Sequence, residues 1–407
     1  MRLSSSWSAA ALAWAAFAVP ASARNAALLS RPVVAQPPTI TQIAAGQHIL
    51  VLLSDGTVVA LGENGAGQLG RPKGPGGRFL PPTRVELPKK AVQVATSDDG
   101  AWLGTSYAVL EDGTVWAWGL GRNNQLGVSI RPAVDRHTPS QVPGLAGVAR
   151  IAVFDYSAMA VMKDGTVRAW GELPTIFTGG NRVYPGVTTP IVIAGLSNVV
   201  DIVGHPNGGY ALTRDGRVYA WGRNLRGELG TGTTSTEPEP PVLVPGVKDV
   251  VSIATIFGAA VVVTRDGRIW SWGDNDQGGL GHGTDGESER SQATPAPTTT
   301  ITDAVEVKAG TAGRQFIVRR RNGTLVGWGN SDWGQLGAGI SGRFQLEPTP
   351  IRLPDVESYW LGGNFAFART KDGAVWFWGE QAAARALVGA KGNQRIPAKV
   401  PLEKLVP

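Results

Sequence analysis

The sequence has 407 residues and no cysteine, which excludes disulfide bonds, thiolate metal ligands and a cysteine nucleophile. Its 38 basic and 32 acidic side chains give a net charge of +6, and no basic block is interleaved with aromatic residues, so we do not expect nucleic acid as a partner. The 55 glycines and 28 prolines favour short strands joined by tight turns over a helical protein.

The N-terminus has the pattern of a secretory signal peptide. Arg2 precedes an apolar run over residues 9–19, and Ala21 and Ala23 form a small-residue cleavage site. We expect residues 1–23 to be removed near Ala23, which predicts a secreted or periplasmic protein. A retained membrane anchor is the alternative. No later segment has the ~20 apolar residues of a spanning helix, so we expect no membrane association of the mature form.

Residues 24–38 are rich in proline and alanine, which indicates a linker or a leading strand. From residue 39 to residue 407, one pattern recurs seven times. An apolar run is followed by Asp-Gly (Asn-Gly once), and five residues after this glycine comes Trp-Gly (Leu-Gly in the first copy). The spacings between successive turn glycines are 57, 52, 51, 51, 56 and 50 residues. Such a period indicates a solenoid, a propeller or an array.

The first repeat shows the elements in order. Apolar runs over residues 40–45 and 49–53 are followed by the turn Asp55-Gly56, a returning run and the glycine-rich segment 62–70. Two apolar runs joined by Asp-Gly are typical of a β-hairpin. Each unit supplies about four short antiparallel strands in roughly 50 residues, the size of a propeller blade. We therefore predict an all-β, seven-bladed β-propeller with four-stranded antiparallel blades over residues 39–407; an open β-solenoid is the alternative.

The tryptophan before the second glycine has a structural explanation. A blade cannot bury its faces alone, so one large aromatic residue per unit can fill the gap between neighbouring sheets. The glycine that follows allows close backbone approach. The six tryptophans at this position are Trp118, Trp170, Trp221, Trp272, Trp328 and Trp378.

The combination of Ala44-Ala45-Gly46 before His48, the stretch Asp112 to Gly119 and the segment Gln68-Leu69-Gly70 resembles the regulator of chromosome condensation repeat family. The resemblance covers about residues 40–403 and implies a seven-bladed propeller. Family members include an exchange factor for the small GTPase Ran and a plant ultraviolet-B photoreceptor. The photoreceptor's Gly-Trp-Arg-His-Thr motif is missing here, which argues against photoreception, and a nuclear exchange role conflicts with the signal peptide.

Two repeats depart from the pattern. Repeat three replaces the glycine-rich segment by residues 172–180, and repeat seven replaces it by residues 381–387. Ring closure has two alternatives: the strand near Val400 completes the last blade, or residues 31–35 join another blade.

The segments before each apolar run and after each Trp-Gly share one face, opposite the Asp-Gly turns. Variable loop positions on that face hold side chains of the types found in binding sites, although each can also simply cover a gap in the ring. The candidate binding residues are Trp102, Asp155, Tyr156, His205, Phe257 and Trp333. The first long loop is basic and the fifth is acidic, and such opposite charges can orient a protein partner.

Chemistry beyond binding has little support in the sequence. The four histidines form no assignable triad or metal pattern, and the acidic pairs Asp98-Asp99 and Asp274-x-Asp276 lack the full spacing of a calcium loop. We therefore expect no enzyme activity, no cofactor and no metal. The predicted function is an exported, monomeric protein-binding module. A secreted guanine-nucleotide exchange factor-like effector and a polysaccharide hydrolase or lyase are the alternatives.

Overall fold

In the computed structural model, the described part of the chain forms seven sheets, each with four antiparallel strands that are consecutive in sequence. The structure describes residues 37–46, 48–72, 79–97, 104–128, 134–154, 156–174, 177, 186–205, 208–287, 289–310, 314–340 and 342–406. All seven sheets belong to the unit Thr39–Pro407. The predicted seven-bladed propeller with four-stranded blades is confirmed.

The blades are numbered 1 to 7 in chain order. Their first strands are Ile40–Ala45 (β1), Ala91–Thr96 (β5), Val148–Phe154 (β9), Val199–His205 (β13), Val250–Ile256 (β17), Ala304–Gly310 (β21) and Val356–Leu361 (β25). The second strands are His48–Leu53 (β2), Thr105–Leu110 (β6), Ser157–Met162 (β10), Gly208–Thr213 (β14), Ala259–Thr264 (β18), Gln315–Arg320 (β22) and Phe365–Thr370 (β26).

The third strands are Val58–Glu63 (β3), Val115–Gly119 (β7), Val167–Gly171 (β11), Val218–Asn224 (β15), Ile269–Asp274 (β19), Leu325–Asn330 (β23) and Val375–Gly379 (β27). The fourth strands are Phe79–Arg84 (β4), Arg136–Gln141 (β8), Val187–Val192 (β12), Ser235–Leu243 (β16), Ser291–Pro297 (β20), Phe344–Ile351 (β24) and Gln394–Val400 (β28). Blade 7 also contains the helix Ala382–Val388 (α1), and short 3-10 turns lie at Asp276–Gly278 and Leu402–Lys404.

The first strands of all seven blades surround a central channel with a volume of about 630 Å³. Each first strand pairs with the second through the same irregularity, a bulge at its second residue, as between Ile40 and Gln42 in blade 1. A bulge increases strand twist and changes the direction of the next side chain. The inner wall of the ring is therefore built in the same way seven times.

The Asp-Gly turns connect the second and third strands of each blade. In blade 2, Asp112 Oδ1 accepts hydrogen bonds from Thr114 N (3.0 Å) and Thr114 Oγ1 (2.7 Å). Gly113 has φ +77°, a conformation that glycine adopts without strain. The aspartate and the glycine are thus both explained by the turn.

Seven apolar cores hold the ring together, and each lies between two neighbouring blades. The six tryptophans before the second glycine are at most 1% exposed. Burying about 200 Å² of a tryptophan side chain contributes roughly 5 kcal/mol of apolar transfer free energy. The prediction that these residues fill the gaps between blades is confirmed.

The glycine after each tryptophan lies against backbone. A Cβ atom built on Gly273 would lie 2.0 Å from the carbonyl oxygen of Gly258, and Gly273 has φ +94°. Any side chain at this position would collide with the hairpin that joins the first and second strands of the same blade. The predicted close approach is confirmed.

The ring closes by packing between blades 7 and 1. Leu61 replaces the tryptophan in blade 1, and the core it joins includes Ala384 and Leu387 of α1. Arg369 Nη1 of blade 7 donates a hydrogen bond to the carbonyl of Ile40 in blade 1. The strand Gln394–Val400 completes the last blade, whereas residues 31–35 lie outside the described part of the chain.

Candidate functional site

Two kinds of connection emerge on one side of the ring, which we call the loop face. They are the turns between first and second strands and the loops between third and fourth strands. The Asp-Gly turns lie on the opposite side, the turn face. Because the strands of each blade are antiparallel and consecutive, this arrangement follows from topology.

In blades 1, 4 and 5, an asparagine holds the glycine-rich loop after the third strand in shape. In blade 1, Asn64 Nδ2 donates to the Arg71 carbonyl (3.1 Å) and Asn64 Oδ1 accepts from Leu69 N (3.0 Å). Asn224 in blade 4 and Asn275 in blade 5 make the equivalent bonds. These loops are therefore tied to the sheet by side chains within the repeat.

A second residue holds the tip of the loop by a hydrogen bond from a backbone N–H to its side chain, and we call a loop with this bond pinned. In blade 1, Gln68 Oε1 accepts from Ala66 N at 2.8 Å. The equivalent bonds join Asn123 N to Gln125, Arg226 N to Glu228, and Trp333 N to Gln335. Each pinned loop thus presents two variable residues at its tip on a fixed backbone.

The tip residues differ from blade to blade although the loops are built alike. The tip dipeptides of blades 1, 2, 4, 5 and 6 are Gly65-Ala66, Arg122-Asn123, Leu225-Arg226, Asp276-Gln277 and Asp332-Trp333. Their chemistry ranges from small to acidic, basic and aromatic. The loop face is therefore a scaffold on which side chains vary without a change in backbone design.

The same loop also holds the next blade. Trp118 Nε1 of blade 2 donates to the Gln68 carbonyl of blade 1 at 2.9 Å. The other tryptophans with this bond are Trp170 to Gln125, Trp272 to Glu228, Trp328 to Gly279 and Trp378 to Gln335. Trp221 is the exception: its buried Nε1 has no partner among the described residues, because blade 3 lacks the glycine-rich loop.

The candidate residues Trp102 and Asp155 lie outside the described part of the chain. Tyr156 lies half-buried in the turn between β9 and β10, and its carbonyl accepts from Glu172 N at 3.0 Å. His205 is the last residue of β13 and pairs with Gly208. Tyr156 and His205 therefore lie at equivalent turns of two adjacent blades.

Phe257 and Trp333 are exposed on the loop face. Phe257 is 38% exposed at the mouth of the channel, and the Arg314 guanidinium lies 5.1 Å from the centre of its ring. Trp333 is 46% exposed at the tip of the blade 6 loop. Both are exposed as expected, and their role in binding stays a prediction.

An arginine joins two loops beside Phe257. Arg226 Nη1 of blade 4 lies 2.7 Å from Asp274 Oδ1 and 2.8 Å from Asp276 Oδ2 of blade 5. Hydrogen bonding to Asp274 and Asp276 raises the pKa of Arg226. Burial raises the pKa of the neighbouring Glu228 carboxyl. The sequence pattern of Asp274 and Asp276 lacks the full spacing of a calcium loop, and it did not predict this ion pair.

A ring of polar residues inside the channel was also missed. Gln42 exchanges two hydrogen bonds with the backbone of Val94 in the next blade (2.8 and 3.0 Å). Gln93 does the same with Ile151 (2.9 and 2.9 Å). These bonds pair backbone N–H and C=O groups at the inner edge of the neighbouring sheet, where no further strand is present to bind them. The third residue of every first strand is polar: Gln42, Gln93, Arg150, Asp201, Ser252, Glu306 and Ser358.

Charged members of this ring form ion pairs, either with each other or with a neighbouring residue of the same strand. Arg150 Nε lies 2.8 Å from Asp201 Oδ1, and Lys308 Nζ lies 3.0 Å from Glu306 Oε1. Lys308 Nζ also donates to the Tyr359 carbonyl at 2.7 Å. Burial raises the pKa of Asp201 and lowers the pKa of Lys308. The Arg150–Asp201 pair bridges blades 3 and 4, and the bond from Lys308 to Tyr359 bridges blades 6 and 7, which explains these contacts structurally.

Over the ranges given above, no helix reaches the length and apolar character needed to cross a membrane. Nor do the side chains that the structure describes bring three or more His, Cys, Asp or Glu residues together as ligands for a metal ion.

Comparison with known proteins identifies the repeat. The family model for the regulator of chromosome condensation (RCC1) repeat matches residues 112–161, 215–255 and 266–318. Human E3 ubiquitin-protein ligase HERC2 is 28% identical over 305 residues, which are 71% of this chain but only 6% of HERC2. Ultraviolet-B receptor UVR8 from Arabidopsis thaliana is 26% identical over 384 residues, 90% of this chain and 82% of the receptor.

A solved structure shows the same fold. Prp20p from Saccharomyces cerevisiae superimposes with a TM-score of 0.69 at 24% identity, covering 81% of this chain and 82% of Prp20p. Each of the three matched segments begins at an Asp-Gly turn, in blade 2, 4 or 5, and runs through the tryptophan and the glycine-rich loop into the next blade. The chain therefore carries repeats that match the regulator of chromosome condensation (RCC1) repeat over residues 112–161, 215–255 and 266–318.

Proposed function

We propose that this chain is an exported, non-enzymatic propeller that binds a protein partner through its loop face. The observation that supports this function best is Trp333, which is 46% exposed at the tip of a loop pinned by Gln335. Exposed tryptophan is enriched in binding hot spots. Most tryptophans of this chain are needed between blades, whereas Trp333 fills no such gap.

The pinned backbone favours binding for a physical reason. Ordering a mobile loop on binding costs free energy, and a loop already held by hydrogen bonds avoids most of that cost. The Trp333 backbone is held by its bond to Gln335, and the Phe257 ring is covered on one side by Arg314. The backbone that carries Trp333 therefore needs little ordering on binding, and the Phe257 ring already has one neighbour.

Affinity capture with the mature protein tests the proposal. We expect Phe257→Ala/Trp333→Ala to lose a partner that the wild-type protein retains. Leu402→Ala is the matched control, because Leu402 is 45% exposed on the turn face. Equal recovery of every partner by the double variant and the wild-type protein would show that the loop face is not the binding face.

Export is the second part of this proposal. It rests on Arg2, the apolar run over residues 9–19 and the small residues before Arg24. N-terminal sequencing of the protein from its own host should give a chain that begins at Arg24. An intact Met1 on protein confined to the cytoplasm would contradict export.

A second candidate function is nucleotide exchange on a small GTPase. The observation that favours it is the fold shared with Prp20p, which binds Gsp1p and histones. The mature protein would then accelerate release of a fluorescent guanine nucleotide from a small GTPase. Release at the uncatalysed rate from a panel of small GTPases would reject this candidate and leave the protein-binding proposal intact.

A further inference from the structure

The loop face is unusually apolar over three consecutive blades. Leu225 in blade 4, Phe257 in blade 5 and Trp333 in blade 6 are 50%, 38% and 46% exposed. Leu225 and Trp333 are tip residues of pinned loops, at positions where blade 1 has Gly65 and Ala66. These three side chains are not explained by packing within the ring.

Carboxylates lie between two of these apolar side chains. Phe257 precedes Gly258, where a built Cβ atom would lie 3.1 Å from Asp274 Cβ and 3.3 Å from Glu228 Cγ. Asp274 in turn binds Arg226, the residue next to Leu225. Leu225 and Phe257 therefore belong to one continuous surface with acidic groups between them.

The loop between the third and fourth strands of blade 5 adds further negative charge to this surface. It carries four acidic residues, Asp276, Asp285, Glu287 and Glu289, and the single arginine Arg290, and it follows Asp274 at the end of β19. A Cβ atom built on Gly286 would lie 2.6 Å from Asp276 Oδ1, so the far part of this loop folds back onto the tip. Glu287 is exposed there.

The surface already holds two guanidinium groups of its own chain. Arg314 lies over the face of the Phe257 ring, and Arg226 lies between the carboxylates of Asp274 and Asp276. Aromatic faces and paired carboxylates are the two environments that guanidinium groups prefer in proteins. The chemistry of this surface therefore suits cationic side chains.

We propose that Leu225, Phe257, Asp274, Asp276 and Glu287, here called the blade 4–5 surface, bind a segment of a partner protein in which arginine or lysine residues alternate with apolar residues. The apolar residues pack against Leu225 and Phe257, and the cations lie along the carboxylates. This inference rests on the proposed function of the loop face and adds the chemistry of the partner. Blade 1, whose long loop is basic, is expected to repel the same segment.

Fluorescence anisotropy with short labelled peptides tests the inference on the full mature chain. The probes are an alternating arginine–leucine peptide, its glutamate–leucine counterpart and its arginine–glycine counterpart. We expect the first to bind at least about 10-fold more tightly than either of the others, since charge and apolar contact both contribute. Phe257→Ala and Glu287→Lys should each weaken binding about 5-fold or more.

A charge reversal on the turn face separates specific from general attraction. Glu403→Lys changes the net charge by the same amount as Glu287→Lys and should leave binding unchanged. Equal losses in the two variants, or equal affinity for the arginine–leucine and arginine–glycine peptides, would overturn the inference.

The two proposals fail in different ways. A natural partner that is lost by Phe257→Ala/Trp333→Ala but kept in full by Glu287→Lys would overturn the basic-segment inference alone. Retention of every partner by both variants would overturn the loop-face proposal itself.

Discussion

The hydrogen bond between a buried tryptophan and the preceding blade can be tested with two matched residues. Trp328 is 0% exposed, donates to the Gly279 carbonyl at 3.0 Å and packs beside Phe316, with ring centres 5.6 Å apart. Trp221 is 1% exposed and packs beside Phe177 at 6.0 Å, but its Nε1 has no described partner. The two sites differ in this bond and in the loop beside the tryptophan, because blade 3 replaces the glycine-rich segment by residues 172–180.

Substitution by phenylalanine should therefore destabilise the protein unequally. Both variants lose roughly 40 Å³ of side chain, which costs about 1 kcal/mol as a cavity term. Trp328→Phe also removes a hydrogen bond and leaves the Gly279 carbonyl buried without its donor, which costs about 1–3 kcal/mol more. Trp221→Phe removes a buried N–H donor that has no partner among the described residues. Loss of this desolvation penalty offsets part of the free energy that the cavity costs.

Urea unfolding at constant temperature, followed by circular dichroism, measures the difference. We expect Trp328→Phe to lower the free energy of unfolding by about 1–2 kcal/mol more than Trp221→Phe does. Equal losses would show that the indole hydrogen bond contributes nothing to the contact between blades. A larger loss for Trp221→Phe would refute the assignment of blade 3 as the blade without this bond.

Three further predictions concern the scaffold. Gly273→Ala should lower the free energy of unfolding by about 3 kcal/mol or more, because Gly273 has a positive φ and the new Cβ atom would lie 2.0 Å from the Gly258 carbonyl oxygen. Gly392→Ala, with open space around the new Cβ atom, should leave the thermal unfolding midpoint nearly unchanged. Burial lowers the pKa of His48 from 6.5 to about 3, so below pH 6.5 the unfolded chain binds a proton that the folded chain does not. Stability should therefore fall by about 1.4 kcal/mol per pH unit as the pH decreases through this range. His48→Gln should remove this part of the pH dependence. Urea midpoints of the wild-type and His48→Gln proteins, measured at about pH 7 and about pH 5, test this prediction. Equal shifts of the midpoint in the two proteins would contradict it. Arg369→Met should lower stability by about 1.5–3 kcal/mol and speed proteolysis, because blade 7 loses its hydrogen bond to Ile40; unchanged proteolysis would mean that apolar packing alone closes the ring.

The fold could be predicted from the sequence because the same local signals occur seven times. A single Asp-Gly turn or Trp-Gly pair is weak evidence, but their regular spacing leaves few architectures. The packing role of tryptophan followed from the size of its side chain and from the need of each sheet for a neighbour. The short helix α1 was not predicted, since Ala382–Val388 forms less than two turns and has little helical periodicity to detect.

The polar ring in the channel could not be predicted in the same way. Gln42 looks like an ordinary polar strand residue, and its partner, the backbone of Val94, lies 52 residues away in another blade. Only an alignment of the first strands reveals that the third position is polar in every blade. The contact between Arg226 and the two aspartates also depends on how adjacent loops meet, which sequence spacing does not determine.

The construction of the loop face explains why variation concentrates at the loop tips. Each pinned loop has a structural end, such as the Gln68 carbonyl that accepts from Trp118, and a free end at the tip. A change at the structural end alters the contact with the next blade: beside blade 3, Trp221 Nε1 has no partner among the residues that the structure describes. At the tip, Leu225 or Trp333 can replace a small residue with the same backbone bonds in place. Binding chemistry can therefore change at the tips without destabilising the ring, whereas the rest of each loop is constrained by the neighbouring blade.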